Sequence, residues 1–277
     1  FDDTTALTTL QELAINSARP AADRSRAIEA LVAKRFAGFD AALIQFIPDA
    51  AVRPAALRGL ASYNHPQTAA AILKEYGSMS ANDKQLAQAT LASRATWTSA
   101  LLDAVEGKHI AASELTAYTA RQIRALGSDK LTTRLTSSWG ELHETPADAA
   151  KKIAAIKKWL TADMLAKADL SNGQQVFKKQ CANCHQFFGE GGKIGPDITG
   201  AQRSNLDYML ENIVDPNSAV AKDYQMEILQ TADGRVITGL IESENPDTLV
   251  VQTTTERIVL RSEDIELRKQ SNVSIMP

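Results

Sequence analysis

Alanine is spread so unevenly along this chain that two kinds of structure are required. Of 44 alanines in 277 residues, 34 lie within residues 1–150 and none lies beyond Ala232. Alanine is the strongest helix former, and its small side chain lets helices approach closely, so the first half is predicted to be helical. Apolar residues there recur at helical spacing, as in Ala27, Leu31 and Phe36 after Arg24 and Arg26, or Ala70, Ile72, Leu73 and Tyr76 after Pro66. A faint repeat runs through the region: Ala27–Leu31 is echoed by Ala56–Leu60, Ala87–Leu91 and Gln122–Leu126, at offsets of 29, 31 and 35 residues. A second apolar stretch follows each echo, such as Ala41–Phe46 or Trp97–Val105, so the unit is a helix pair. Pairs that cannot bury an apolar face alone stack on their neighbours, which predicts an α-solenoid over residues 1–140, with an irregular helical bundle as the alternative.

The repeat resembles HEAT repeats. Residues 141–170 are predicted to form a connecting helix: Pro146 suits its first turn, Ala149, Ile153, Ile156 and Leu160 make one face, and Lys151, Lys152, Lys157 and Lys158 the other. That lysine face reads as solvated, with a docking surface for an acidic partner as the alternative. From Ser171, a candidate helix cap, the character changes, and six of the 14 glycines fall between Gly173 and Gly200. Residues 204–214 read as a helix. Strands are predicted at 224–231, 235–243, 248–253 and 257–260, with turns at Asp233-Gly234 and Asn245-Pro246-Asp247. The predicted class is therefore mainly α, with a small antiparallel β insertion at about 224–261 inside a last domain of residues 171–277.

Both cysteines of the chain lie in Cys181-Ala182-Asn183-Cys184-His185, a C-x-x-C-H sequence, which is the attachment signature of a c-type haem. The spacing has a physical reason. One turn of chain offers two thiols to the two porphyrin vinyl groups, and the adjacent imidazole reaches the iron from one face. A structural zinc site needs four ligands, and the other histidines, His65, His109 and His143, lie in the helical region. A thioredoxin-type dithiol needs a βαβ context that these helices do not supply. One covalent haem c is the expected cofactor.

The segment that follows, from Gln186 through Gly195-Pro196-Asp197-Ile198-Thr199-Gly200, resembles class I cytochromes c. In that family a proline carbonyl accepts a hydrogen bond from the proximal histidine, which implies Pro196 acting on His185, with Gly195 beside it. Residues from about Asp163 to Pro277 more closely resemble the haem-binding domain recognised in planctomycete and verrucomicrobial proteins, often behind HEAT-like repeats. Arg203, the run from Leu210 to Asn217, Tyr224, Asp233-Gly234-Arg235 and Ser274-Ile275-Met276-Pro277 carry this likeness. It implies that Gly195, Pro196, Ile198 and Arg203 contribute to the haem pocket. It also implies His185 and Met276 as axial iron ligands, Met276 lying in an irregular loop before proline. Met226, in a predicted strand, is the next candidate, and Met209, on a helix face, reads as core. Family members continue past Met-Pro into a helix that packs across the one before the haem motif, so Gly173 and Phe177 are expected to await that partner.

The expected function is electron transfer, as an electron-carrying domain without substrate chemistry of its own, serving a redox partner protein or a fused dehydrogenase domain. A haem sensor, a peroxidase-like centre with an open distal site, and a HEAT-type interaction scaffold are the alternatives. A net charge of −3 lacks the basic excess of a nucleic-acid binder, and no apolar run approaches the roughly 18 residues of a membrane span. The sequence opens at Phe1 with no leader pattern, so any targeting segment is expected to have been removed. Haem c attachment takes place outside the cytoplasm, which places the expected protein in the periplasm or otherwise exported from a bacterium.

Overall fold

A computed structural model describes residues 4–253 and 256–276. The protein is mostly helical with one small antiparallel sheet. The helices of the alanine-rich part are α1 (Thr4–Ile15), α2 (Ala21–Ala33), α3 (Phe39–Phe46), α4 (Arg53–Leu60), α5 (Thr68–Glu75), α6 (Ala81–Leu91), α7 (Ala95–Glu106), α8 (Ala117–Ala125) and α9 (Asp129–Ser138). Four more follow: α10 (Ala147–Trp159), α11 (Ala162–Ala166), α12 (Leu170–Gln180) and α13 (Leu206–Val214). Among the described residues two compact units separate, one reaching to Ile110 and including Gln122–Arg134, the other comprising Ala111–Arg121 and everything from Leu135 onward.

In the first unit α2, α4 and α6 pack on one another in succession, as do α3, α5 and α7, while α3 also packs on α4 and α6 on α7. The echoed pentapeptides fall in α2, α4, α6 and α8. They supply the core: Ala27, Ile28, Leu31, Ala56, Leu57, Leu60, Ala87, Leu91 and Ile123 are all buried. Hydrogen bonds repeat with them. Thr90 Oγ1 donates to the Leu57 carbonyl (2.8 Å), Arg94 Nη2 to that of Ala61 (3.2 Å) and Gln122 Nε2 to that of Ala89 (3.1 Å), each across 33 residues. Arg24 and Arg53, each three positions before an echo, are both buried. Arg24 donates to the Ala14 carbonyl (3.0 Å) and to Asp49 (2.8 Å), and this bond holds the Asp49 carboxyl below the ordinary aspartate range. Arg53 donates to the carbonyls of Ile47 (2.6 Å) and Pro48 (3.1 Å) and to Asp83 (3.2 Å).

In the second unit α10 packs on α13, and Lys157 Nζ meets Asp207 Oδ1 at 2.5 Å. The four lysines of α10 are exposed, as expected of a solvated face. Helix α12 begins two residues earlier than the Ser171 cap predicts. Asp169 caps it instead, its Oδ1 accepting from the Asn172 amide at 3.0 Å, a bond only the residue just before the helix can make.

Two strands, β1 (Gln186–Phe187) and β2 (Glu190–Gly191), form a short hairpin. The larger sheet has β3 (Gln225–Thr231), β4 (Val236–Glu244), β5 (Thr248–Gln252), β6 (Arg257–Arg261) and β7 (Ile265–Ser274), all antiparallel, in the order β6-β5-β4-β3-β7. The sheet thus extends past the expected 224–261, and the expected irregular loop over Ser271–Ser274 is strand. The alternation that marks a strand was absent because β7 is an edge, paired only with β3, and residues 266–270 are all exposed.

Strand order and connection length together dictate the sheet's shape. Five flat strands at a spacing of about 4.8 Å would hold the outer two about 19 Å apart. The chain passes from β6 to β7 through Ser262–Asp264 alone, and four Cα steps reach at most about 15 Å. The sheet must therefore curl, and register shifts in β3–β7 and β4–β5 mark the bulges that bend it. Leu229, Ile237, Leu249, Val251 and Leu260 form its buried core cluster.

Candidate haem-binding site

Helix α12 ends at the motif. The amides of Cys184 and His185 both donate to the Cys181 carbonyl (3.1 and 2.9 Å), so a single tight turn presents two thiols and an imidazole together. Both cysteines are free and half-buried. Burial, and then the neighbouring Cys184, push the Cys181 thiol upward, opposite to the depressed value an activated dithiol pair needs. Among the described residues no three His, Cys, Asp or Glu side chains gather as a zinc site would require.

The glycines that follow press on the turn itself. A Cβ on Gly191 would lie 2.3 Å from the His185 carbonyl oxygen, and one on Gly192 only 2.1 Å from that of Asn183. The Gly192 and Gly195 amides donate to the carbonyls of Ala182 and Cys184, each at 2.8 Å. The close approach read from this glycine cluster is therefore to the backbone of the pentapeptide. Gly195 is buried against the His185 ring, where a Cβ would stand 2.7 Å from Cε1.

His185 Nδ1 lies 2.9 Å from the Pro196 carbonyl oxygen. A carbonyl only accepts, so Nδ1 carries the proton and the lone pair is left on Nε2, the nitrogen that a metal at this site would take. Paired thiols, a tautomer fixed for ligation and a glycine cradle fit a covalently held haem.

Residues 170–237 match the family model for cytochrome c. No curated protein matches the chain. The cytochrome c match starts at the first residue of α12, spans the whole motif and loop, and ends within β4, about a quarter of the chain. It supports haem-based electron transfer and implies haem c. Cytochrome c domains are typically exported, and among the described residues no helix is long and apolar enough to cross a membrane.

The other expected site residues spread around this loop. The Ile198 amide donates to the Gln186 carbonyl (2.9 Å), and its side chain is half-buried. The Arg203 guanidinium stacks on Phe187 and Phe188, at 4.6 and 5.3 Å from the ring centres. Met276 is half-buried two residues beyond β7. Ser274 is paired with Gln225, and the neighbouring Tyr224 hydroxyl is pushed upward by burial and by the charges of Asp223 and Asp197. Met226 and Met209 are both half-buried.

One functional element escaped the sequence. The β1–β2 hairpin turns through Phe188 and Gly189, both at positive φ (49° and 82°), as a tight hairpin turn requires. It sets Phe187 5.3 Å from Phe177 of α12 and encloses a groove of about 420 Å³ that includes Leu170, Gly173 and Gly191. Nothing lies within 4 Å of where a Gly173 Cβ would be, so α12 is open there. Phe-Gly is not the Asn-Gly or Asp-Gly pair that announces such a turn, and β strands of two residues leave no alternation to read.

Proposed function

We propose that the protein is an electron-transfer module carrying one haem c, bonded through Cys181 and Cys184 and ligated by His185 and Met276. The haem supplies one-electron chemistry, and the protein sets its potential through ligand identity and burial. The observation that carries this reading is the Nδ1 contact of His185 with Pro196, which orients the imidazole and leaves Nε2 for iron. Met276 is favoured over Met226 because it lies past the end of β7, before a proline in the sequence, whereas Met226 is held within strand β3.

The helices α2 to α9 act as a HEAT-like two-layer stack. The successive packing of α2, α4 and α6 and of α3, α5 and α7, with cross-repeat bonds at 33-residue spacing, supports this arrangement. Such a stack offers a docking face to a redox partner protein or a fused dehydrogenase domain, in a protein of planctomycete or verrucomicrobial type working in the periplasm or otherwise exported.

Replacing Met276 with alanine tests the ligation. The oxidised parent should show the methionine-to-iron charge-transfer band at the red end of its spectrum, and the reduced parent should bind CO slowly. M276A should lose the band and bind CO rapidly. An unmoved spectrum would transfer the assignment to Met226, and rapid CO binding by the parent itself would favour a sensor or peroxidase-like centre.

A further inference from the structure

Met276 lies two residues past the end of an edge strand, so sheet pairing does not reach it and other bonds must place it. Two hydrogen bonds in series do so. The Met276 amide donates to Ser274 Oγ (3.1 Å), and the Ser274 amide donates to Asn217 Oδ1 (2.6 Å). Asn217 belongs to the turn that ends α13, far from β7 in sequence.

That turn is braced from several sides. Ser218 closes it through its amide (3.1 Å) and hydroxyl (2.8 Å), both donating to the Asp215 carbonyl. Arg121 Nη2 donates to Ser218 Oγ (2.9 Å) while Arg121 Nε meets Glu211 of α13 at 3.2 Å. On the other side the His143 amide donates to the Ser218 carbonyl (2.9 Å), and Ala219 bridges to Leu142. Asp215 and Ser218 are buried, Pro216 restricts the backbone between them, and Asn217 alone of the four projects to solvent and across to β7.

We infer that Asn217 is the positioning residue of the distal-ligand segment: its amide oxygen holds the Ser274 amide and thereby keeps Met276 within reach of iron. This rests on the His185/Met276 reading. A glutamine would set the oxygen one carbon too far, and an alanine would remove the acceptor of the Ser274 amide. An aspartate keeps the acceptor at the same place.

The experiment uses the full haem-loaded chain as parent, N217A, N217D, S274A and M276A. The readouts are the charge-transfer band, the CO association rate, the midpoint potential, and hydrogen exchange at the Ser274 amide measured with and without haem. Losing one such hydrogen bond should shift the balance of bound and released Met276 by roughly two- to ten-fold. N217A and S274A should therefore bind CO faster by that factor with a weakened band and a lowered potential, N217A should exchange the Ser274 amide faster even without haem, and N217D should stay near the parent. The inference is overturned if M276A abolishes the band while N217A leaves it intact, or if N217D behaves as N217A does. A band unaffected in M276A would instead overturn the ligation reading beneath it.

Discussion

Gly192→Ala is expected to abolish haem attachment while leaving the helical unit folded. The added carbon would lie 2.1 Å from the Asn183 carbonyl oxygen and 2.7 Å from its carbon, backbone atoms that cannot rotate away. Either the loop lifts from the pentapeptide, breaking the Gly192 bond to Ala182, or the turn carrying Cys184 and His185 deforms. Overpacking of this kind costs about 3 kcal/mol at its upper range, and attachment requires both thiols and the imidazole on one turn. Gly173→Ala, with open space at the same position on a helix, is the control and should attach haem normally. Haem staining on a denaturing gel separates the two; staining of G192A equal to the parent would mean that the loop does not hold the turn.

The second large effect belongs to the helical unit. Arg53 and Asp83 expose only 6% and 10% of their side chains, so Arg53→Met strands a carboxylate among apolar helices and unbinds the carbonyls of Ile47 and Pro48 as well. Breaking a buried pair from one side costs about 3–5 kcal/mol. Urea unfolding should show that loss for R53M, partial recovery when Asp83 is also made apolar, and under about 1 kcal/mol for Arg58→Met, whose partner Glu29 is half-exposed. Equal costs for R53M and R58M would remove the buried arginines from the account of how successive helix pairs are joined.

Much of this is legible in the sequence. Alanine separated helix from strand because each side-chain type suits one packing distance, and the echoed pentapeptides were legible because they fall on α2, α4, α6 and α8, where each must fill the same kind of interior position. The motif and Gly195-Pro196 were legible for a different reason: their chemistry is local, with partners within 15 residues of one another. What stayed hidden depends on distant partners. Strand β7 carries no alternation of its own and exists as a strand because β3 offers it an edge. Nothing local in the sequence marks Arg24 and Arg53 as buried, because their partners Asp49 and Asp83 lie 25 and 30 residues away. Asn217 belongs to a run that carries the family likeness, but its bond to Ser274, 57 residues away, is not readable from that run.

Covalent haem at Cys181 and Cys184 is tested most directly by a pyridine haemochrome measurement on the purified protein, repeated after acid–acetone extraction. One haem per chain, retained through extraction and absent from a C181A/C184A variant, is the predicted result. Haem that is wholly extracted, or a protein that takes up none under conditions where c-type haem is attached, would contradict it.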